Sequence, residues 1–216
     1  VVLVLSGCGG GGGGSDSPPV IPPTPEPPAA EGTDISGGGV KGPLADANVE
    51  ALAVDTTASD LRGASMGTGT TDAQARITGL ALTDDQPYLL VFQATDSTTD
   101  LTTGQSPVLR TLTTVLTAET ITAGEPVYAT PLTTLAVSLA ASKGVSSIDE
   151  LSTALDAAAE EVKSTFGFGI DDSVDIFKTP PLIDEQTITV EQQTATAQYR
   201  AAVEAVSAVV YALEQN

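Results

Sequence analysis

Two hydrophobic rhythms divide this chain, and they change over at Thr130-Pro131. Before that point Asn48-Val49-Glu50-Ala51-Leu52-Ala53-Val54 alternates with period two, and after it Leu132, Leu135 and Leu139 recur at helical spacing. Strands turn successive side chains to opposite faces, whereas helices return a side chain to the same face every three to four residues. The chain is therefore expected to build a β part first and a helical part second.

The β signals continue through the first part. Arg76-Ile77-Thr78-Gly79-Leu80 follows a turn at Thr71-Asp72-Ala73-Gln74, Tyr88-Leu89-Leu90-Val91-Phe92 is an apolar run after Pro87, and Val108 to Leu116 is a Thr-rich β segment. Short strands at this spacing, punctuated by Gly, Asp and Pro, predict an antiparallel β-sandwich over 34–130.

The helical part announces its own boundaries. Thr130-Pro131 supplies an N-cap with proline at the first helical position, and Gly144 ends that run. Ser147-Ile148-Asp149-Glu150 is a capping box, in which Ser147 accepts from the Glu150 amide while the Glu150 carboxylate reaches back. Ile148, Leu151, Leu155, Ala159, Val162 and Phe166 then form one stripe, stopped at Gly167. Thr189-Val190-Glu191-Gln192 is a second box, opening a helix with Tyr199, Val203, Val206, Val210 and Leu213 on one face. Three amphipathic helices predict a small α-helical bundle over 131–216. Its last helix reaches Asn216 with no stop signal, so this domain is expected to be truncated at its C-terminus.

Charge and inventory remove several functions. Eight Lys+Arg stand against 28 Asp+Glu, a net charge of −20, and the cations are scattered singly. Nucleic acid is therefore not an expected partner, since neutralising phosphates needs a basic stripe. With no histidine, His-based triads and His metal ligation are closed, and a single cysteine closes disulfide and thiolate-zinc frameworks. No Ser-x-x-Lys occurs, and Asp55-Thr56-Thr57 and Asp96-Ser97-Thr98 lack the glycine of an aspartic protease. A carboxylate pair is the one catalytic route left open. Gly37-Gly38-Gly39-Val40-Lys41-Gly42 fits the dinucleotide fingerprint in spelling, but no strand–helix context surrounds it, and no cofactor is expected. An internal link from Lys41 to an asparagine lacks a partner, because the only asparagines are Asn48 and Asn216, neither on a predicted last strand. Lys41 is read as solvated, as most lysines are.

The chain opens Val1-Val2-Leu3-Val4-Leu5-Ser6-Gly7-Cys8, too short an apolar run to span a bilayer. Leu5-Ser6-Gly7-Cys8 resembles the bacterial lipoprotein lipobox, and residues 1–8 are read as a truncated lipoprotein signal. The resemblance implies that cleavage leaves Cys8 as the acylated first residue, anchoring the protein in a membrane by several acyl chains. Gly9 stands where the inner-membrane retention signal of that class carries Asp, which favours the outer membrane. Residues 9–33 follow as a disordered tether: Gly9 to Gly14 is unbroken glycine, and 7 of the 14 prolines lie between Pro18 and Pro28. At ~3.3 Å per residue it reaches at most about 80 Å.

The strings VKGPLADANVEALAVD, GTGTTDAQARITGL and PYLLVF resemble the carboxypeptidase-regulatory-like, transthyretin-like (prealbumin-like) sandwich of bacterial surface proteins. The chain departs from it at Ala75 and Ile77, where the family usually has Gly and an aromatic. ATPLTTLAVSLAASKG and FGFGIDDSVDIFKTPPLID are similar to a helical region that follows such sandwiches in surface lipoproteins. These likenesses imply architecture and location more than activity. The expectation is a non-catalytic, lipid-anchored surface protein acting in display, scaffolding or adhesion, with protein or glycan as partner. The alternatives are a glycan- or small-ligand-binding lipoprotein of a surface uptake system, then a carboxylate-dependent hydrolase. Asp171, Asp172 and Asp175 are the candidate calcium ligands, although their spacing suits turn capping better.

Overall fold

The computed structural model describes residues 32–183 and 187–214. The lipobox residues Leu5, Ser6, Gly7 and Cys8 and the tether up to residue 31 lie outside that range, whereas Thr33, read as the tether's last residue, pairs with Leu82 in a sheet. The β part contains, in order, β1 (Thr33–Asp34), β2 (Gly37–Gly39), β3 (Leu44–Ala45), β4 (Asn48–Val54), β5 (Arg62–Thr71), β6 (Ile77–Thr78) and β7 (Ala81–Leu82). It continues with β8 (Tyr88–Gln93), β9 (Thr99–Asp100), β10 (Thr111–Leu116), the short helix α1 (Ala118–Ala123) and β11 (Val127–Ala129). Helices α2 (Pro131–Ser142), α3 (Ile148–Phe166) and α4 (Val190–Glu214) complete it.

The principal sheet has the order β10-β8-β4-β5-β6, antiparallel throughout. Three two-stranded pieces accompany it: β1 with β7, β3 with β9, and β2 with β11, the last pair parallel. Among the described residues the fold is a mostly β part of antiparallel sheets curled as a half-barrel, with four helices including a C-terminal one.

The period-two pattern explains the layering. Tyr88, Leu90 and Phe92 of β8 point to one side of the sheet, where they meet Val49 and Ala51 of β4, Leu112 and Leu116 of β10, and Leu44, Leu80 and Leu82. Leu89 and Val91 point to the other side, with Leu52 and Val115, into a core shared with Leu132, Ala136, Leu155, Val162, Tyr199 and Val203 of the helices. A strand covered on both faces needs apolar residues at every position, hence the unbroken run in β8. Each such side chain contributes roughly 1.5–3 kcal/mol on burial.

The structure corrects several details. Only Ile77–Thr78 of the expected 76–80 strand pairs in the principal sheet, because Gly79, with a φ of 72°, bends the chain there, and the Leu80 carbonyl accepts from the Ile35 amide instead. β5 was not anticipated: apart from Ala64 and Met66 its residues are polar or glycine, and nearly all its side chains are exposed or half-buried, so it carries no continuous hydrophobic signal. In α2 the buried positions are Pro131, Leu132, Thr133, Ala136, Val137 and Ala140, while Leu135 and Leu139 are half-buried. The helix is pressed between sheet and α3, and small residues permit the closest approach there. At Ser147 the box is staggered by one residue: Ser147 caps the Glu150 amide, but the Glu150 carboxylate accepts from Ser146 Oγ and the Ser146 amide. The Thr189–Gln192 box closes in both directions. The ends of the two apolar stripes, Ile148, Phe166 and Leu213, remain exposed. Among the described residues no helix is long and apolar enough to cross a membrane.

Candidate functional site

Three constellations hold the sheet and helices together, and each is a place where chemistry could reside. The first begins at Thr130-Pro131-Leu132-Thr133-Thr134. The Thr130 hydroxyl caps the Thr133 amide, and the Thr133 hydroxyl accepts from the Thr130 amide. Thr133 Oγ1 also donates to the Thr113 carbonyl at 2.8 Å, and Thr134 Oγ1 accepts from the Thr113 amide at 2.9 Å. Thr113 lies on β10, the last strand of the sheet, so two hydroxyls from a helix stand in for a neighbouring strand. Buried backbone groups need such partners.

The same cap reaches the last helix. Tyr199 Oη donates to the Ile176 carbonyl at 2.7 Å and lies 3.0 Å from Thr130 Oγ1. Its own proton being committed to Ile176, the Tyr199 oxygen accepts from the Thr130 hydroxyl. This relay joins α2, α4 and the 171–178 turn in a fully buried site. Burial pushes the Tyr199 phenol well above the usual tyrosine range, outweighing the hydrogen bond from Thr130 that acts the other way.

The second constellation overturns the reading of Lys41 as solvated. Lys41 is 7% exposed, and its ammonium lies 3.1 Å from Asp100 Oδ2 and 3.4 Å from Glu204 Oε2. Asp100 is 1% exposed, and its Oδ1 accepts from the backbone amides of Thr102 at 2.8 Å and Thr103 at 3.4 Å. Arg200 donates to Glu204 at 2.6 Å and to Thr102 Oγ1 at 2.9 Å. Two cations and two carboxylates thus converge from the β2–β3 turn, β9 and α4. Gly42 makes this possible, since a Cβ there would sit 1.7 Å from Asp100 Oδ1. Arg200 and Glu204 are a readable i,i+4 pair, but nothing local joins them to Lys41 or Asp100, because Lys41 stands 59 residues from Asp100 and Arg200 stands 98 residues from Thr102 along the chain.

The third is a groove of about 350 Å³ between α3 and the turn after it, lined in part by Asp156, Glu160, Lys163, Asp172, Asp175 and Phe177. The Lys163 ammonium donates to the carbonyls of Asp172 and Val174 and pairs with Glu160 at 2.8 Å. Of the candidate calcium ligands, Asp171 accepts from the Ser173 hydroxyl and amide, and Asp175 accepts from the Phe177 amide. The Ser173 hydroxyl, then its amide, hold the Asp171 carboxyl below the usual carboxylate range. Asp172 contributes its backbone carbonyl to Lys163. Among the described residues no three acidic, Cys or His side chains are grouped to hold a metal ion.

Other residues singled out in sequence have local partners. Asp55 caps the Thr57 amide and hydroxyl in a turn. Gly37–Gly39 forms β2, where a Cβ on Gly37, whose φ is 123°, would sit 1.8 Å from the Val127 carbonyl oxygen. Gly37 therefore serves the close approach to β11, while a Cβ on Gly38 would meet the Ala75 carbonyl and one on Gly39 the Phe92 ring. Ala75 has a φ of 61°. In comparison with known proteins the chain matches no family model, no curated protein and no solved structure.

Proposed function

We propose that this is a non-catalytic, lipid-anchored protein of the bacterial cell envelope, held at the outer membrane through Cys8. In this reading the β part is a transthyretin-like sandwich and the helices a small bundle, together presented on a Gly/Pro-rich tether for display, scaffolding or adhesion. The observation that carries it is Leu5-Ser6-Gly7-Cys8, with the chain's sole cysteine immediately before a glycine run. The carboxylates of the folded part add support, since Asp55, Asp72, Asp171 and Asp175 are engaged in turn capping. The test is metabolic palmitate labelling of the chain expressed behind a complete lipoprotein leader. Label that is lost in Cys8→Ala and a precursor that accumulates with a lipoprotein signal peptidase inhibitor are expected. Absence of label on wild-type protein overturns the anchor.

One observation favours a second reading, in which the protein binds a glycan or small ligand for uptake. The α3 groove has the volume of a small-molecule site, and charged and apolar residues line it together. A thermal-shift screen over sugars and small acids separates the readings, since binding to the folded state raises the melting temperature. A ligand whose effect disappears in Glu160→Gln supports the uptake reading, and a flat screen removes it.

A further inference from the structure

We infer that Lys41 and Asp100 form an intramolecular amide, with Glu204 moving the proton that the condensation requires. The parts of an acyl transfer are gathered around one buried pair. The nucleophile is Lys41 Nζ, 3.1 Å from Asp100 Oδ2 and shielded from water. The electrophile is Asp100 Cγ, whose other oxygen already accepts two backbone N–H groups, from Thr102 and Thr103. Such donors stabilise the oxyanion of a tetrahedral intermediate. Glu204 Oε2, 3.4 Å from the same nitrogen, is within reach of the moving proton, and Arg200 at 2.6 Å holds that carboxylate in place. A fixed approach of this kind replaces a bimolecular encounter with an intramolecular one.

The chemistry balances without any further reactant. One proton passes from the Lys41 ammonium to Asp100 Oδ2, leaving an amine beside a carboxylic acid. Nζ attacks Cγ, and Oδ1 takes the developing negative charge between the Thr102 and Thr103 amides. Glu204 accepts a proton from the attacking nitrogen and delivers it to Oδ2. The Cγ–Oδ2 bond breaks, Oδ2 departs as water, and the Cγ–Oδ1 double bond re-forms. Gly42 is a positioning residue: without a side chain it lets the Asp100 carboxylate lie against the backbone beside Lys41.

The test is the intact mass of residues 1–216 carrying Cys8→Ser, which keeps the chain free of lipid. The expected mass is lower than the sequence requires by one water, and trypsin fails to cut after Lys41. The digest yields one species joining the peptide that contains Lys41 to the peptide Ile77–Arg110. Lys41→Arg, which keeps the positive charge, returns the full mass, as does Asp100→Ala. Glu204→Gln, on the exposed side of the cluster, slows formation by about 10-fold or more, the scale of a lost proton-transfer group. Wild-type protein of full mass both fresh and after prolonged incubation overturns the inference, and so does a missing water that maps anywhere else. The wild-type mass decides the matter even if a variant does not fold. A Glu204→Gln protein that links at the wild-type rate removes Glu204 from the step.

Discussion

Replacing Tyr199 by Phe deletes one oxygen and tests the relay that joins α2, α4 and the 171–178 turn. The ring stays, so no cavity opens. Two hydrogen bonds go: the one to the Ile176 carbonyl and the one from the Thr130 hydroxyl. A neutral hydrogen bond contributes about 1 kcal/mol net, and a buried group left without a partner costs about 1–3 kcal/mol. Because Thr130 and Tyr199 are both fully buried, water cannot replace either partner. The expected loss is about 1.5–3 kcal/mol. For a folded region of this size, each kcal/mol lowers the melting temperature by ~2–4 °C, so a fall of roughly 3–12 °C is expected by far-UV circular dichroism, with an unchanged urea m-value. Tyr211→Phe, on the same helix but 47% exposed, serves as the control and stays within about 0.5 kcal/mol of wild type. If Tyr199→Phe behaves like Tyr211→Phe, the relay carries no stability and the argument fails.

Further outcomes follow from particular residues. At Ala75, where φ is 61°, relief of backbone strain offsets the lost methyl in Ala75→Gly, so stability stays near wild type. Ala75→Val puts a β-branched side chain in that conformation and in a buried site, and loses about 2–3 kcal/mol in urea melts; equal stability of the two variants refutes the strain. The raised Tyr199 pKa gives the folded state the greater proton affinity, so its contribution is complete below about pH 10, the unfolded tyrosine value, and is lost as pH rises beyond it. Melts across that range should therefore fall more steeply for wild type than for Tyr199→Phe, and parallel curves exclude the effect. With Asp171 and Asp175 engaged in local turns, neither excess calcium nor a chelator should move the melting temperature, and a rise of several degrees with calcium restores the 171–175 segment as a site.

What the sequence made legible is what local physics decides. β4 keeps the predicted bounds, Asn48–Val54, because alternation and burial act on the same residues. The starts of α2, α3 and α4 are readable because a cap and its partner lie within four residues of each other. β5 was hidden because its stability comes from pairing with β4 along its length rather than from apolar side chains. The alternation of Gly67 and Gly69 with Thr68 and Thr70 is a period-two trace that could have revealed it. The two roles of Thr133 and Thr134 were invisible, since spelling distinguishes a helix cap from a surrogate strand only once β10 is in place. The burial of Lys41 depends on Asp100 and Glu204, 59 and 163 residues further along the chain, a distance over which no periodicity speaks.

The parallel pairing of β2 with β11 has a mechanical meaning. β2 stands near the start of the described fold and β11 immediately precedes α2, and Val127 N–H to Ser36 O and Val40 N–H to Ala129 O extend the pair at either end. A pull applied between the chain preceding β2 and the helices that follow β11 draws these two strands along their axes in opposite directions. That is shear, in which every bond of the ladder bears load at once, whereas an antiparallel hairpin pulled from its open end unzips one bond at a time. Gly37, which lets the strands come so close, thus places this parallel ladder of three residue pairs directly in the line of force.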